Sequence, residues 1–148
     1  MRESEQRFRN IFNNVPIGVL YTDIDGTVRQ ANPRFCELVG RDVSTLATLK
    51  TRDLLHPDDV DEAEALFNRL LDGEITTYRR QKRYRTPDGR AVWVQCSVSL
   101  LRDESGHPQR IVSVAEDITE TLRLAEAERA RDAAEASNRA KSEFLSRM

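Results

Sequence analysis

The 148-residue sequence is poor in the residues that usually announce chemistry. It has two cysteines, Cys36 and Cys96, too far apart for a metal-ligand pair, and two histidines, His56 and His107. Aromatics make up 6% of the chain, which predicts one modest core. No apolar run approaches the length of a membrane span, and the opening MRESEQRFRN lacks the apolar segment of a signal peptide. A span could still lie upstream in a longer parent. With a net charge of −2 and 32% charged residues, no field of one sign favours nucleic acid or an anionic membrane. The expectation is a cytoplasmic segment with reduced thiols. There is no nucleophile–base pattern, Gly-rich phosphate loop or metal motif, so no catalytic residue is expected.

What is present falls into two parts that meet near Thr119. From Glu120 to Met148 there is no Gly, Pro, Val, Ile, Tyr or Trp. That stretch reads as one helix of roughly 45 Å. Before it, residues 3–14 read as an amphipathic helix with Ser4 as N-cap and Phe8, Ile11, Phe12 and Val15 on one face, stopped by Pro16. Residues 17–22 and 27–31 read as a hairpin about Asp25-Gly26. Asn32-Pro33 opens a helix carrying Phe35, Leu38 and Val39 inward and closing at Gly40. Short helical turns are expected over 41–56. Pro57 then starts a longer helix with Ala63, Leu66, Phe67 and Leu70 buried, ending at Gly73. Strands over 76–85, 91–101 and 109–117 follow. In the middle one, Val92, Val94, Cys96, Val98 and Leu100 alternate with polar residues and Trp93. Hairpin-joined strands with helices gathered on one face mean an α+β fold with a five-stranded antiparallel sheet.

The strings "RESEQRFRNIFNNVPIGVLYTDIDGTVRQANPRFCELVGRD", "LLHPDDV", "YRTPDGRAVWVQCSVSLLRDESG" and "VAEDIT" come in an order that resembles the PAS family of sensory domains. The resemblance implies domains of 1–15 (cap helix), 16–119 (PAS domain) and 120–148 (signal helix). It also implies a sheet whose first two strands are central, and a small pocket between sheet and helices. Arg41 stands where the family often has an aromatic. The tail "EASNRAKSEFLSRM" resembles the entry to the dimerisation and phosphotransfer region of sensor histidine kinases, with Lys141, Phe144, Leu145 and Met148 at that family's spacing. A nucleotide cyclase is normally joined through a different string.

These resemblances imply a signal-transmitting module of a two-component system, not itself an enzyme, whose parent is an ATP-dependent protein-histidine kinase, a transferase. The implied partners are the downstream kinase domain in cis, a response regulator, and a second copy of the chain. Nucleic acid and membrane are not expected partners. Two other readings stay open: a constitutive dimerisation spacer with a filled core, and a sensor for a different output such as a cyclase.

Pocket candidates are Val19, Tyr21, Phe35, Leu38, Leu54, Leu66, Leu70, Val94 and Val112. Asp117 and Thr119, at the junction of last strand and exit helix, are candidate relay residues; Thr119 is also a candidate helix cap. Leu122, Ala125, Ala133, Ala136, Ala140 and Phe144 form a stripe on the tail. Its intervals of eleven, from Leu122 to Ala133 and from Ala133 to Phe144, suggest a parallel coiled coil with an eleven-residue repeat, although Arg129 intrudes. Phe8, Ile11, Phe12 and Trp93 would add contacts to that homodimer.

No cofactor is expected. Haem-binding relatives hang the iron from a His on the long helix, and residues 58–72 have none. Photosensory relatives attach flavin to a Cys on the short helix before it, and 46–55, "LATLKTRDLL", has none. A non-covalent flavin or small ligand needs no single diagnostic residue and stays open. The acidic run Asp58, Asp59, Asp61, Glu62 and Glu64 reads as a solvated helix start, and the basic run Arg79, Arg80, Lys82, Arg83 and Arg85 as a charged sheet edge.

Overall fold

A computed structural model describes residues 2–147. The elements run α1 (Arg2–Asn14), β1 (Gly18–Thr22), β2 (Val28–Ala31), α2 (Pro33–Val39), α3 (Val43–Leu46), α4 (Thr51–Leu54), α5 (Pro57–Leu71), β3 (Thr77–Arg85), β4 (Ala91–Arg102), β5 (Pro108–Asp117) and α6 (Thr119–Ser146). They divide into two compact units, one ending at Asp117 and one beginning at Ile118.

The first unit is built on a five-stranded antiparallel sheet of order β2-β1-β5-β4-β3. The expectation that the first two strands are central is corrected. β5 is the middle strand and β2 is an edge, because β1 pairs on its other side with β5, Leu20 opposite Ser113.

Asn32 sets the geometry of the first crossover. Fully buried, it accepts hydrogen bonds from the N–H of Phe35 (2.9 Å) and of Val19 (2.8 Å), and its amide donates to the Ile17 carbonyl (2.9 Å). One side chain thus caps α2 and ties it to β1. Gly18 lets α2 come close: a Cβ there would meet Leu38 Cδ1 at 2.9 Å and the Phe35 Cα at 3.2 Å. α2 ends at Gly40 in the left-handed region (φ 64°), where a side chain would be strained. The Arg41 guanidinium then reaches across to the carbonyl of Arg85 (2.6 Å), joining this loop to the end of β3.

The stretch 41–56 forms two single turns, α3, capped by Asp42, and α4. Thr51 N–H bonds the Gly26 carbonyl (3.0 Å) and His56 N–H bonds the Arg83 carbonyl (3.0 Å), so this stretch is stitched to both sides of the sheet. His56 caps α5 through Nδ1, which accepts from Asp58 N–H (3.1 Å). The core is one cluster between the inner face of the sheet and these helices, including Leu20, Phe35, Val39, Leu46, Leu54 and Leu70.

α1 runs from Arg2, so Ser4 lies inside its first turn and is not its cap. Its Phe8 and Phe12 stack on each other (5.5 Å) and against Tyr21 on the outer face of β1 (6.5 and 6.2 Å). The second unit is α6, continuous over 28 residues, about 42 Å at 1.5 Å per residue. Its N-cap is Ile118 and Thr119 is the first helical residue, so Thr119 is not the cap expected from its hydroxyl. The expected continuation to Met148 lies outside the described residues.

Candidate functional site

The side chains that face the helices from β1, β5 and β4 are Leu20 and Thr22, Ile111, Ser113 and Ala115, and Val94, Cys96 and Val98. Leu20, Thr22, Val98, Ile111 and Ser113 form the floor of a cavity of about 120 Å³. Leu55, Val60, Ala63 and Phe67 cover it from the helix side. The β1–β2 turn closes one end, and Tyr78, Lys82 and Tyr84 of β3 wall the other. Asp25, Lys50, Arg52, Glu64 and Asn68 line a vestibule outside.

The cavity is mostly apolar but carries several hydroxyls. Thr22 and Ser113 are buried, at 2% and 5% exposure, and neither hydroxyl bonds another described group. Burial pushes the Tyr78 phenol up to about 12, with the nearby Cys96 acting in the same direction, and burial raises Tyr84 well above the ordinary range. Both phenols therefore stay protonated at neutral pH.

β3 contradicts the reading of a solvated basic edge. Tyr78, Arg80, Lys82 and Tyr84 share the inward parity, and Arg80 and Lys82 are 8% and 7% exposed. Arg80 pairs with Glu62 (3.3 Å) and lies 4.0 Å from Asp59. Asp59 is likewise not a solvated helix-start carboxylate. It is buried and accepts from the backbone N–H (2.8 Å), Nε (3.2 Å) and Nη2 (3.0 Å) of Arg83. Burial alone would raise its pKa, but the hydrogen bonds from Arg83 prevail and hold it below the ordinary carboxylate value. Arg83 also stacks on Trp93, 4.8 Å from the ring centre. This clasp fixes α5, the roof of the cavity, to β3, its wall.

The pocket candidates divide three ways. Phe35, Leu38, Leu54, Leu70 and Val94 are in the packed core, at 0 to 4% exposure, without lining the cavity. Leu66 is half-buried on α5, off the cavity wall. Val19, Tyr21 and Val112 are corrected: they lie on the opposite face of the sheet, because the parity of β1 and β5 turns Leu20, Thr22, Ile111 and Ser113 inward. Thr22, Phe67, Tyr78, Lys82 and Ser113 were missed as lining residues. The signal that could have placed Lys82 is Tyr78 and Tyr84, six apart on one strand face, with Arg80 and Lys82 between them.

Of the interface candidates, Phe8 and Ile11 are about half exposed and Phe12 and Trp93 partly covered. On α6, Leu122 and Ala125 are partly covered, while Ala133, Ala136, Ala140 and Phe144 are exposed. The relay candidates fall on either side of the boundary between units: Asp117 ends β5 and Thr119 begins α6.

Both cysteines are free; burial, then the Asp42 charge, raises the Cys36 thiol, and Cys96 is fully buried. Among the described residues, no group of three or more His, Cys, Asp and Glu is placed to hold a metal ion, and no helix is long and apolar enough to cross a membrane.

Comparison with known proteins agrees with this architecture. The chain is 34% identical over 121 residues, 82% of its length, to the probable diguanylate cyclase DgcE of Escherichia coli (strain K12). It is 30% identical over 117 residues, 79% of its length, to the sensor histidine kinase TmoS of Ectopseudomonas mendocina. It spans only 11% and 12% of those two relatives. A crystal structure of a domain of the sensory box sensor histidine kinase/response regulator from Geobacter sulfurreducens superposes with a TM-score of 0.63 at 25% identity, covering 77% of this chain and 94% of that one. The family model described as PAS fold matches residues 12–123, and the chain belongs to the PAS family.

Proposed function

We propose that the chain is the sensory and signal-transmitting module of a two-component sensor histidine kinase. The cavity between sheet and helices receives the input. α6 carries it, in a parallel homodimer, to a kinase domain beyond the chain, which phosphorylates its own histidine and then a response regulator. The chain itself catalyses nothing, and the working compartment is the cytoplasm.

The observation that carries this reading is the cavity. It lies between a sheet whose last strand ends at Asp117 and helices anchored to the same sheet through Asp59, and it offers hydroxyl groups that no other side chain uses. A constitutive spacer has no need of such a space. The relay role of Asp117 and Thr119 follows from their place at the end of the last strand and the first turn of α6. The stripe on α6 supports pairing: Leu122, Ala133 and Phe144 fall at intervals of eleven on an uninterrupted helix, about 20° from three whole turns. A ligand acts on such a pair only through its different affinity for two arrangements. About 5.5 kcal/mol swings the population from one to the other.

A diguanylate cyclase output is the second reading, favoured by the 34% identity to DgcE. The test uses the parent protein. Asp117→Ala and Thr119→Ala should alter its autophosphorylation while leaving circular dichroism unchanged. Autophosphorylation unchanged under all conditions removes the relay, and cyclase activity in the parent decides for the second reading.

A further inference from the structure

Among the described residues, every charged side chain that lines the cavity has a partner of opposite sign except one. Asp23 is held by Arg29 (2.6 Å) and by Arg110. Asp25 faces Lys50 at 3.8 Å, and Glu64 faces Arg52 at 3.7 Å. Lys82 lines the cavity at 7% exposure, with no hydrogen bond and no ion pair among the described residues. Its ammonium lies 5.3 Å from the centre of the Tyr84 ring, whose face attracts a cation but does not neutralise it. On the same strand face Arg80 is balanced by Glu62, but its buried Nη1 has no hydrogen-bond partner among the described residues.

The Lys82 side chain is mostly covered while its nitrogen, unlike Arg80 Nη1, still reaches open space, so an ammonium without a counterion is presented to the cavity and gains from a ligand that completes it. We propose that the cavity binds a small organic monoanion, a short-chain carboxylate, with its head group on Lys82 and its hydrocarbon tail against Phe67, Val98 and Ile111. This rests on the reading of the cavity as the sensory site and names the chemical class it senses.

The remaining features fit. The Thr22 and Ser113 hydroxyls and the protonated Tyr78 phenol can donate to carboxylate oxygens. A space of about 120 Å³ suits roughly four to seven non-hydrogen atoms, the range from acetate to valerate. A dicarboxylate fits worse. Its second charge would enter a vestibule whose two cations, Lys50 and Arg52, are already paired with Asp25 and Glu64, and would have to draw one of them away.

The experiment uses the 148-residue chain, unfolded in urea and refolded to strip any occupant. Its thermal midpoint is followed with acetate, propionate, butyrate and valerate, with their uncharged amides, and with succinate, each at up to about 10 mM and at constant ionic strength against chloride. The expected result is a rise with the acids, largest for one of the longer ones, and little or none with the amides or succinate. Lys82→Met should unfold at a higher temperature than wild type without ligand, since it removes the uncompensated charge. It should also bind the best acid about ten- to a hundredfold more weakly. Lys82→Gln gives a second neutral variant.

Amides that match the acids, or Lys82→Met binding undiminished, would overturn the anion assignment and leave a receptor cavity standing. Succinate binding more tightly than butyrate would overturn the single charge. No rise with any member of either series would overturn the assignment and count against the cavity as a receptor.

Discussion

Removing the charge of Asp59 is the sharpest perturbation of the scaffold that holds the cavity. In Asp59→Asn the one remaining oxygen can keep the bonds from the Arg83 N–H and Nε, the latter weakened by loss of the carboxylate charge, but the amide NH2 in place of Oδ1 meets Nη2 donor to donor and that bond is lost. Such bonds are worth about 1.5–3 kcal/mol each when charged and about half that when neutral. The Arg83 side chain is 23% exposed and can turn partly to water, which recovers some of the loss. Together these place the cost at about 2–3 kcal/mol at pH 7, toward the low end of what breaking a buried pair costs. Because the folded-state pKa of Asp59 is depressed, its contribution is fully present above the ordinary value of 3.8 and is lost as the pH falls through the lower folded value. Urea unfolding at a series of pH values between 7 and 3 should therefore show wild type and Asp59→Asn converging as the solution is acidified. A gap that stays constant with pH, or one below about 0.5 kcal/mol at pH 7, would refute the reasoning.

Two further substitutions test the crossover. Gly18→Ala forces a Cβ to within 3.2 Å of the Phe35 backbone, which a side-chain rotation cannot relieve, and should cost about 1–3 kcal/mol, read as a lower urea midpoint at unchanged slope. Asn32→Ala removes a helix cap and leaves the Val19 N–H and the Ile17 carbonyl without this partner. It should cost about 2–4 kcal/mol and release hydrogen-exchange protection at Phe35.

The element order was legible because its punctuation is local. Asn32-Pro33 and Gly40 bracket α2, Pro57 opens α5, and the turns at Asp25-Gly26, Pro87-Asp88-Gly89 and Ser105-Gly106 separate the strands. The cavity was not legible, and the reason is physical. Val19, Leu20 and Tyr21 are apolar in succession because α1 covers the outer face of β1, so alternation does not reveal which side is inward. In β5 the more polar residue, Ser113, is the inward one, and Val112 and Val114 face out. A site that binds a polar molecule inverts the rule that buries apolar groups, and Lys82 inverts it most. Asp59 eluded the sequence for a similar reason. Its partner Arg83 is twenty-four residues away, and nothing local distinguishes it from Asp58 and Asp61.

If the cavity is a receptor site, the space under Phe67 holds a guest in the cell. A native mass spectrum of the chain purified from cells, sprayed from ammonium bicarbonate, addresses it directly. The expected spectrum contains a population heavier than the polypeptide by about 60–100 Da, the mass of a small molecule that such a cavity holds, shed on gentle activation. A single species at the mass of the bare polypeptide, unchanged when short-chain carboxylates are added, would contradict the receptor reading.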